Sequence, residues 1–175
     1  MIMTVAQLDT MPETEAAFKL AACCGSAKWV AEMVRRRPYH TRARVLSAAG
    51  EVADDLAGAD WLESFSHHPR IGEGTAAARV SADAAAWSNS EQARVSRVSG
   101  AVRSALAEGN IQYERRFGFI FIISADGRDP DAILSALLAR LENSPEEEMA
   151  IAVQEQRKIT RLRLEKLIPA PETSA

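Results

Sequence analysis

Three stretches of this chain carry side chains able to move protons or hold an anion. His67-His68-Pro69-Arg70-Ile71-Gly72-Glu73 is the densest polar cluster outside the charged helix faces. Histidine is the one side chain whose ordinary pKa suits proton transfer near neutral pH. Pro69 biases His68 toward extended backbone and so holds its imidazole clear of a helix. A solvated surface loop would account for the same residues. A zinc site fits less well, because His40 is remote and no cysteine or carboxylate pattern supplies ligand spacing.

Ser88, Glu91 and Gln92 stand at i, i+3 and i+4, one face of a helix. Ser-x-x-Glu is also a capping box, which explains the first two as a structural device and leaves Gln92 unexplained. The third stretch is Lys158-Ile159-Thr160-Arg161-Leu162-Arg163-Leu164. At about 100° per residue, with Ile159 as zero, Leu162, Arg163 and Leu167 fall at roughly -60°, +40° and +80°. Arg163 therefore lies within an apolar arc and Arg161 points away from it. A guanidinium directed into an apolar face needs an anionic partner. Glu73, Glu91 or a substrate carboxylate could supply it, and Lys166 on the same arc allows the face to be partly open.

The elements that must position these residues read as helices. The chain has 175 residues, 47% hydrophobic and only 6% aromatic, with a formal charge of -3, a composition that suits one helical domain and argues against nucleic acid or anionic membrane as partner. Thr10-Met11-Pro12-Glu13 predicts a helix start running to about Cys24, closed by Gly25. Ser26 opens a second helix that stops before Pro38, and Thr41 to Ala57 reads as a third. Asp60-Trp61-Leu62-Glu63 predicts a capped short helix ending before His68. A helix from about Ser88 to Ala107 carries Val95, Val98, Val102 and Leu106 as a buried stripe, with Gly109 ending the run. Asp129-Pro130 and Ser144-Pro145 open the last two, Pro169 stops the final one, and residues 170–175 are expected to form a mobile tail.

Phe117-Gly118-Phe119-Ile120-Phe121-Ile122-Ile123-Ser124-Ala125 is the exception. Its local pattern is that of a buried strand, yet the sequence offers no convincing second strand to pair with it. Its backbone groups must then be met by helix ends, a helical turn or a ligand. This run is also the longest apolar one and is too short to span a bilayer. With no signal peptide pattern, no Ser-Lys-Leu ending and adjacent cysteines Cys23 and Cys24 that suit no disulfide, a cytoplasmic protein is expected.

Taken in order, His68-Pro69-Arg70-Ile71-Gly72-Glu73, Trp87-Ser88 with Glu91-Gln92, Tyr113 with Phe117 to Phe121, and Lys158 to Leu164 resemble the OHCU decarboxylase family, from about Gln7 to Ile168. The resemblance implies an all-α, single-domain compact bundle of about seven or eight helices over residues 1–175, usually a homodimer, and overrules the strand reading. It implies decarboxylation of 2-oxo-4-hydroxy-4-carboxy-5-ureidoimidazoline (OHCU) to (S)-allantoin in urate breakdown, with no cofactor and no metal. The catalytic residues it implies are His68, Glu91 and Arg163. Substrate contacts fall on Pro69, Ser88 and Gln92 and on the backbone of Phe121, Ile122, Ile123, Ser124 and Ala125. Many relatives have proline where Ile120 stands, and the motif with Ile71 looks like a bacterial variant. Two rival readings are a non-enzymatic helical module that binds a partner, and a lyase or hydrolase acting on another carboxylated heterocycle.

Overall fold

The structure is a computed structural model that describes residues 2–72 and 100–170. Among the described residues there are eight helices and no strand. They are α1 (Val5–Thr10), α2 (Glu13–Ala21), α3 (Ala27–Arg35), α4 (Arg42–Asp54), α5 (Gly58–Ser66), α6 (Gly100–Phe117), α7 (Pro130–Arg140) and α8 (Pro145–Leu167). The all-α expectation holds. Contacts divide the molecule into two units: the described residues of Met1–Ser64 with Arg157–Ala175, and those of Phe65–Gln156.

In the first unit α2 packs on α3 and α3 on α4. Ser26 and Thr41 start α3 and α4 as expected, their hydroxyls accepting the N–H groups of Trp29 and Arg44 at 3.3 and 3.2 Å. Trp29, Val30 and Met33 form the buried stripe of α3. The indole N–H of Trp29 donates to the Ala49 carbonyl of α4 at 3.2 Å. The chain ends of this unit are tied together. Met3 N–H donates to the Leu167 carbonyl at 2.8 Å, and Arg42 Nε donates to the Ile168 carbonyl at 2.7 Å.

Several local expectations are corrected here. The sequence reading had no α1, which is opened by a capping box between Thr4 and Gln7. Pro12, not Thr10, precedes α2, and it makes no side-chain cap. Cys23 lies in the turn after α2 and Cys24 in the irregular link to α3; both are buried free thiols. Asp60 is not the cap of α5, which starts two residues earlier, at Gly58. Instead its carboxylate reaches back to the Ala57 N–H at 2.8 Å, the third-position half of a capping box.

In the second unit α6 packs against α7. Gly109 does not end a helix but sits inside α6, because a Cβ there would lie 2.7 Å from Leu137 Cδ2. The absent side chain lets the two helices approach. The helix ends instead at Gly118, which takes a positive φ of 79°. Asp129 caps α7, accepting from Asp131 and Ala132 N–H, and Ser144 with Glu147 forms the capping box of α8. Between α6 and α7 runs the apolar segment. Residues 120–125 have no regular structure, and Phe121 to Ala125 are all buried. A turn closes it, Arg128 N–H donating to the Ala125 carbonyl at 3.2 Å with Gly127 at φ 74°.

Candidate active site

His68 follows the last turn of α5, and its N–H donates to the Phe65 carbonyl at 3.1 Å. The imidazole is half-buried. Two contacts pin the loop that carries it to α6. Arg70 grips Glu114 with two nitrogens, Nε at 2.5 Å and Nη2 at 2.9 Å, a forked geometry that fixes both direction and distance. Two residues on, Ile71 is buried and its carbonyl accepts from Asn110 Nδ2 at 2.9 Å. Motif residues flanking His68 and Pro69 thus have a mechanical task, which is to hold a histidine at the end of a helix by anchoring the chain beyond it.

The buried segment 121–125 is held by charges. Arg140, near the end of α7, donates from Nη1 to the Ile122 carbonyl at 2.9 Å, and its guanidinium lies 4.6 Å from the centroid of the Phe121 ring. The same guanidinium donates to Glu148 of α8 from Nε at 2.9 Å and Nη2 at 2.5 Å. Glu148 is 0% exposed, and it also accepts from the Tyr113 hydroxyl and from Asn143 Nδ2. Two residues along the segment, Ser124 N–H donates to Glu155 Oε2 at 2.8 Å, and Glu155 pairs with Arg128 at 3.7 Å. The backbone N–H and C=O of Ile123, between these two clamped positions, make no hydrogen bond among the described residues. Buried backbone groups are nearly always paired.

Tyr113 completes the setting. Its ring stacks edge-on to Phe121 and Phe119, with centroids 5.2 and 5.7 Å away. Burial and then the hydrogen bond to Glu148 push its hydroxyl far above the usual phenol range, so it remains a donor.

Arg163 lies in the first unit. It is 4% exposed, whereas the side chain of Arg161 is 66% exposed and pairs with Glu165, the division that the helical angle gives. Arg163 Nη1 donates to the Ala22 carbonyl at 3.2 Å. Nearby in the same unit, Cys24 lies 3.4 Å from the Ser64 hydroxyl, and burial raises its thiol pKa. Ser88, Glu91 and Gln92 lie outside the described residues, as do Glu73 and Trp87.

A cavity of about 180 Å³ in the first unit is lined by Trp29, Trp61, Arg157, Thr160 and Leu164 among others. None of the described candidates lines it, and Arg157 at its edge is already paired with Asp54. Among the described residues no group of three or more His, Cys, Asp or Glu side chains could hold a metal ion.

The sequence reading missed Arg140, Glu148 and Glu155. The signal for two of them was present. On the angular scale that singles out Arg163, Glu148 and Glu155 fall at roughly -20° and -40°, inside the same arc as Ile159. Extending the wheel over all of α8 marks three buried charges on one stripe, with Ala152 between the two glutamates.

The comparisons with known proteins agree with one another. A profile of the family described as OHCU decarboxylase matches residues 9–165. The chain is 40% identical over 146 residues to the uric acid degradation bifunctional protein TTL of Arabidopsis thaliana, covering 83% of this chain but only 45% of that protein. It is 29% identical over 137 residues to the 2-oxo-4-hydroxy-4-carboxy-5-ureidoimidazoline decarboxylase of Haloferax volcanii, covering 78% of this chain and 79% of the relative. A crystal structure of an OHCU decarboxylase obtained in the presence of (S)-allantoin superposes with a TM-score of 0.75 at 36% identity, over 87% of this chain and 99% of that one. The family profile thus spans nearly the whole chain and the fold matches along with it: the chain belongs to the OHCU decarboxylase family.

Proposed function

We propose that this protein decarboxylates OHCU to (S)-allantoin in urate degradation, without a cofactor, and that the chain acts as one catalytic domain. The observation that carries the reading is the buried, irregular segment 121–125, whose Ile123 backbone offers a donor and an acceptor with no hydrogen bond among the described residues. An amide-like donor and acceptor side by side suit a ureido group or a ring lactam, both of which OHCU carries. Family membership supports the rest of the assignment.

The chemistry needs little beyond orientation and charge. The bond from the ring carbon to the carboxylate breaks, and its electron pair forms a double bond to the neighbouring ring carbon while the imine nitrogen there takes up a proton. A proton then leaves the hydroxyl, giving a carbonyl, and one is delivered to a single face of the carbon that bears the ureido group. His68 and Glu91 manage these protons, with their environments deciding which of them holds one. Arg163 anchors or polarises an anionic part of the substrate. Ser88 and Gln92 contact ureido and ring polar groups, Pro69 packs against the ligand, and the backbone from Phe121 to Ala125 hydrogen-bonds it.

The test is to follow the circular dichroism of allantoin after mixing purified protein with OHCU freshly generated from urate. One enantiomer should appear well above the slow racemic background. His68→Ala should lower turnover by about 100-fold or more, the scale of a lost general acid or base, with little change in thermal midpoint. A His68→Ala protein as active as wild type would remove His68 from the mechanism. The same family resemblance supports a cytoplasmic homodimer, which light scattering of the purified protein tests for its assembly and cell fractionation for its location.

A further inference from the structure

A solitary run of irregular, buried backbone in a helical unit has no neighbouring strand to pair with. Its polar groups must be met by something stiff if they are to stay in one register. In this protein the two groups met by side chains are the Ile122 carbonyl, held by Arg140, and the Ser124 N–H, held by Glu155. They are two residues apart, the spacing at which an extended chain turns its polar groups to the same edge. Ile123 falls between them, and its own N–H and C=O make no hydrogen bond among the described residues.

Both clamps are themselves clamped. Arg140 is 8% exposed and is fixed through two nitrogens by Glu148, which Tyr113 and Asn143 hold in turn. Glu155 is 6% exposed and faces Arg128. Charge-assisted hydrogen bonds are roughly twice as strong as neutral ones, and a forked guanidinium fixes angle as well as distance. The pair therefore does from one edge what a neighbouring strand would do, with side chains of opposite sign meeting a carbonyl and an N–H.

We propose that Arg140 and Glu155 are positioning residues for substrate binding. They hold Ile122 and Ser124 so that the N–H and C=O of Ile123 are presented together to the donor and acceptor of a ureido or lactam group. This rests on the decarboxylase reading above and adds two side chains that never touch substrate. Because the contact is equal in ground and transition states, its loss raises KM and leaves kcat nearly unchanged.

The experiment measures OHCU turnover, (S)-allantoin binding by calorimetry and the thermal midpoint for wild type, Glu155→Ala, Glu155→Gln and Arg140→Lys. Glu155→Ala should raise KM and the allantoin Kd by about tenfold, the worth of one charge-assisted hydrogen bond, with kcat within about threefold. Glu155→Gln keeps an acceptor for Ser124 N–H and should return both constants to within about threefold of wild type. Arg140→Lys can satisfy the Ile122 carbonyl or Glu148 but not both in the forked geometry, so KM and Kd should rise by about fivefold. If Glu155→Ala does not fold, Glu155→Asp is measured in its place; it keeps the charge and withdraws the carboxylate by one methylene. Folded Glu155→Ala, or Glu155→Asp where it stands in, with wild-type KM and Kd would overturn the proposal. So would losses seen only in kcat and only in proportion to the fall in thermal midpoint. Wild-type protein without turnover would instead defeat the decarboxylase reading, independently of how the variants bind.

Discussion

Tyr39 and Tyr113 are buried phenols, one in each unit, and they end in different company. The Tyr39 hydroxyl donates to the Met33 carbonyl at 2.5 Å, a neutral acceptor near the end of α3. The Tyr113 hydroxyl donates to Glu148, a carboxylate that also takes two nitrogens of Arg140. Burial raises both phenols, Tyr39 to about 12 and Tyr113 further still, because Glu148 adds to the effect. The first unit buries helix against helix, and there Tyr39 and Arg163 find their acceptors in carbonyls near helix ends, those of Met33 and Ala22. The second unit buries an irregular segment beside a helix pair, and there the polar demand is met by ionised groups. Paired charge enters the core where ordered but non-helical backbone has to be held.

The sharpest way to break this contrast is Arg140→Met. It leaves Glu148 buried with its cation gone, and loss of one member of a buried pair costs about 3–5 kcal/mol. Urea unfolding should show that fall, and a loss below about 1 kcal/mol would mean that the ionic cluster is not what holds the second unit. Next come the phenols themselves. Tyr113→Phe removes a donor from a carboxylate and should cost about 1.5–3 kcal/mol, against about 0.5–1.5 kcal/mol for Tyr39→Phe, whose acceptor is neutral. Equal losses in the two variants would erase the distinction.

The smallest effect is in the pH dependence. Tyr39, Tyr113 and Cys24 all have folded pKa values raised above their unfolded ones, 10.0 for the phenols and 9.0 for the thiol. Their contribution is therefore complete below about pH 9 and is lost as pH rises from there toward the folded values. The thermal midpoint should stay level from pH 7 to about 9 and decline beyond it, and the two Tyr→Phe variants should each flatten part of that decline.

Much of the fold is legible in the sequence because helix starts are local events. Ser26, Thr41, Asp129 and Ser144 each lie beside the backbone that they cap, so nothing distant is needed to recognise them. Asp60 shows the limit of that method, since an aspartate serves equally as cap or as third-position acceptor and only the fold decides. Gly109 fails for another reason. A glycine near a predicted helix end looks like a stop, and its real cause, the close approach of Leu137, lies in another helix. Arg140 was hidden by sufficiency: a cation in the last turn of a helix is already explained by the dipole, and nothing local says that it reaches Ile122 and Glu148. His68 and the segment 121–125 were legible as chemistry, and the arc of α8 marks Glu155 as buried, but the backbone groups that Arg140 and Glu155 hold were not legible, because those partners are fixed only by tertiary packing.

The buried stripe of α8 bears on how this gene can change. Glu148, Glu155 and Arg163 share one line on a continuous helix, so their alignment depends on the number of residues between them as much as on their identity. Inserting a single codon between Glu155 and Arg163 would turn everything downstream by about 100° and carry the arginine out of its arc. Drift in this helix should therefore proceed by replacement of its solvent-facing residues, while changes of length are confined to the loops on either side of it.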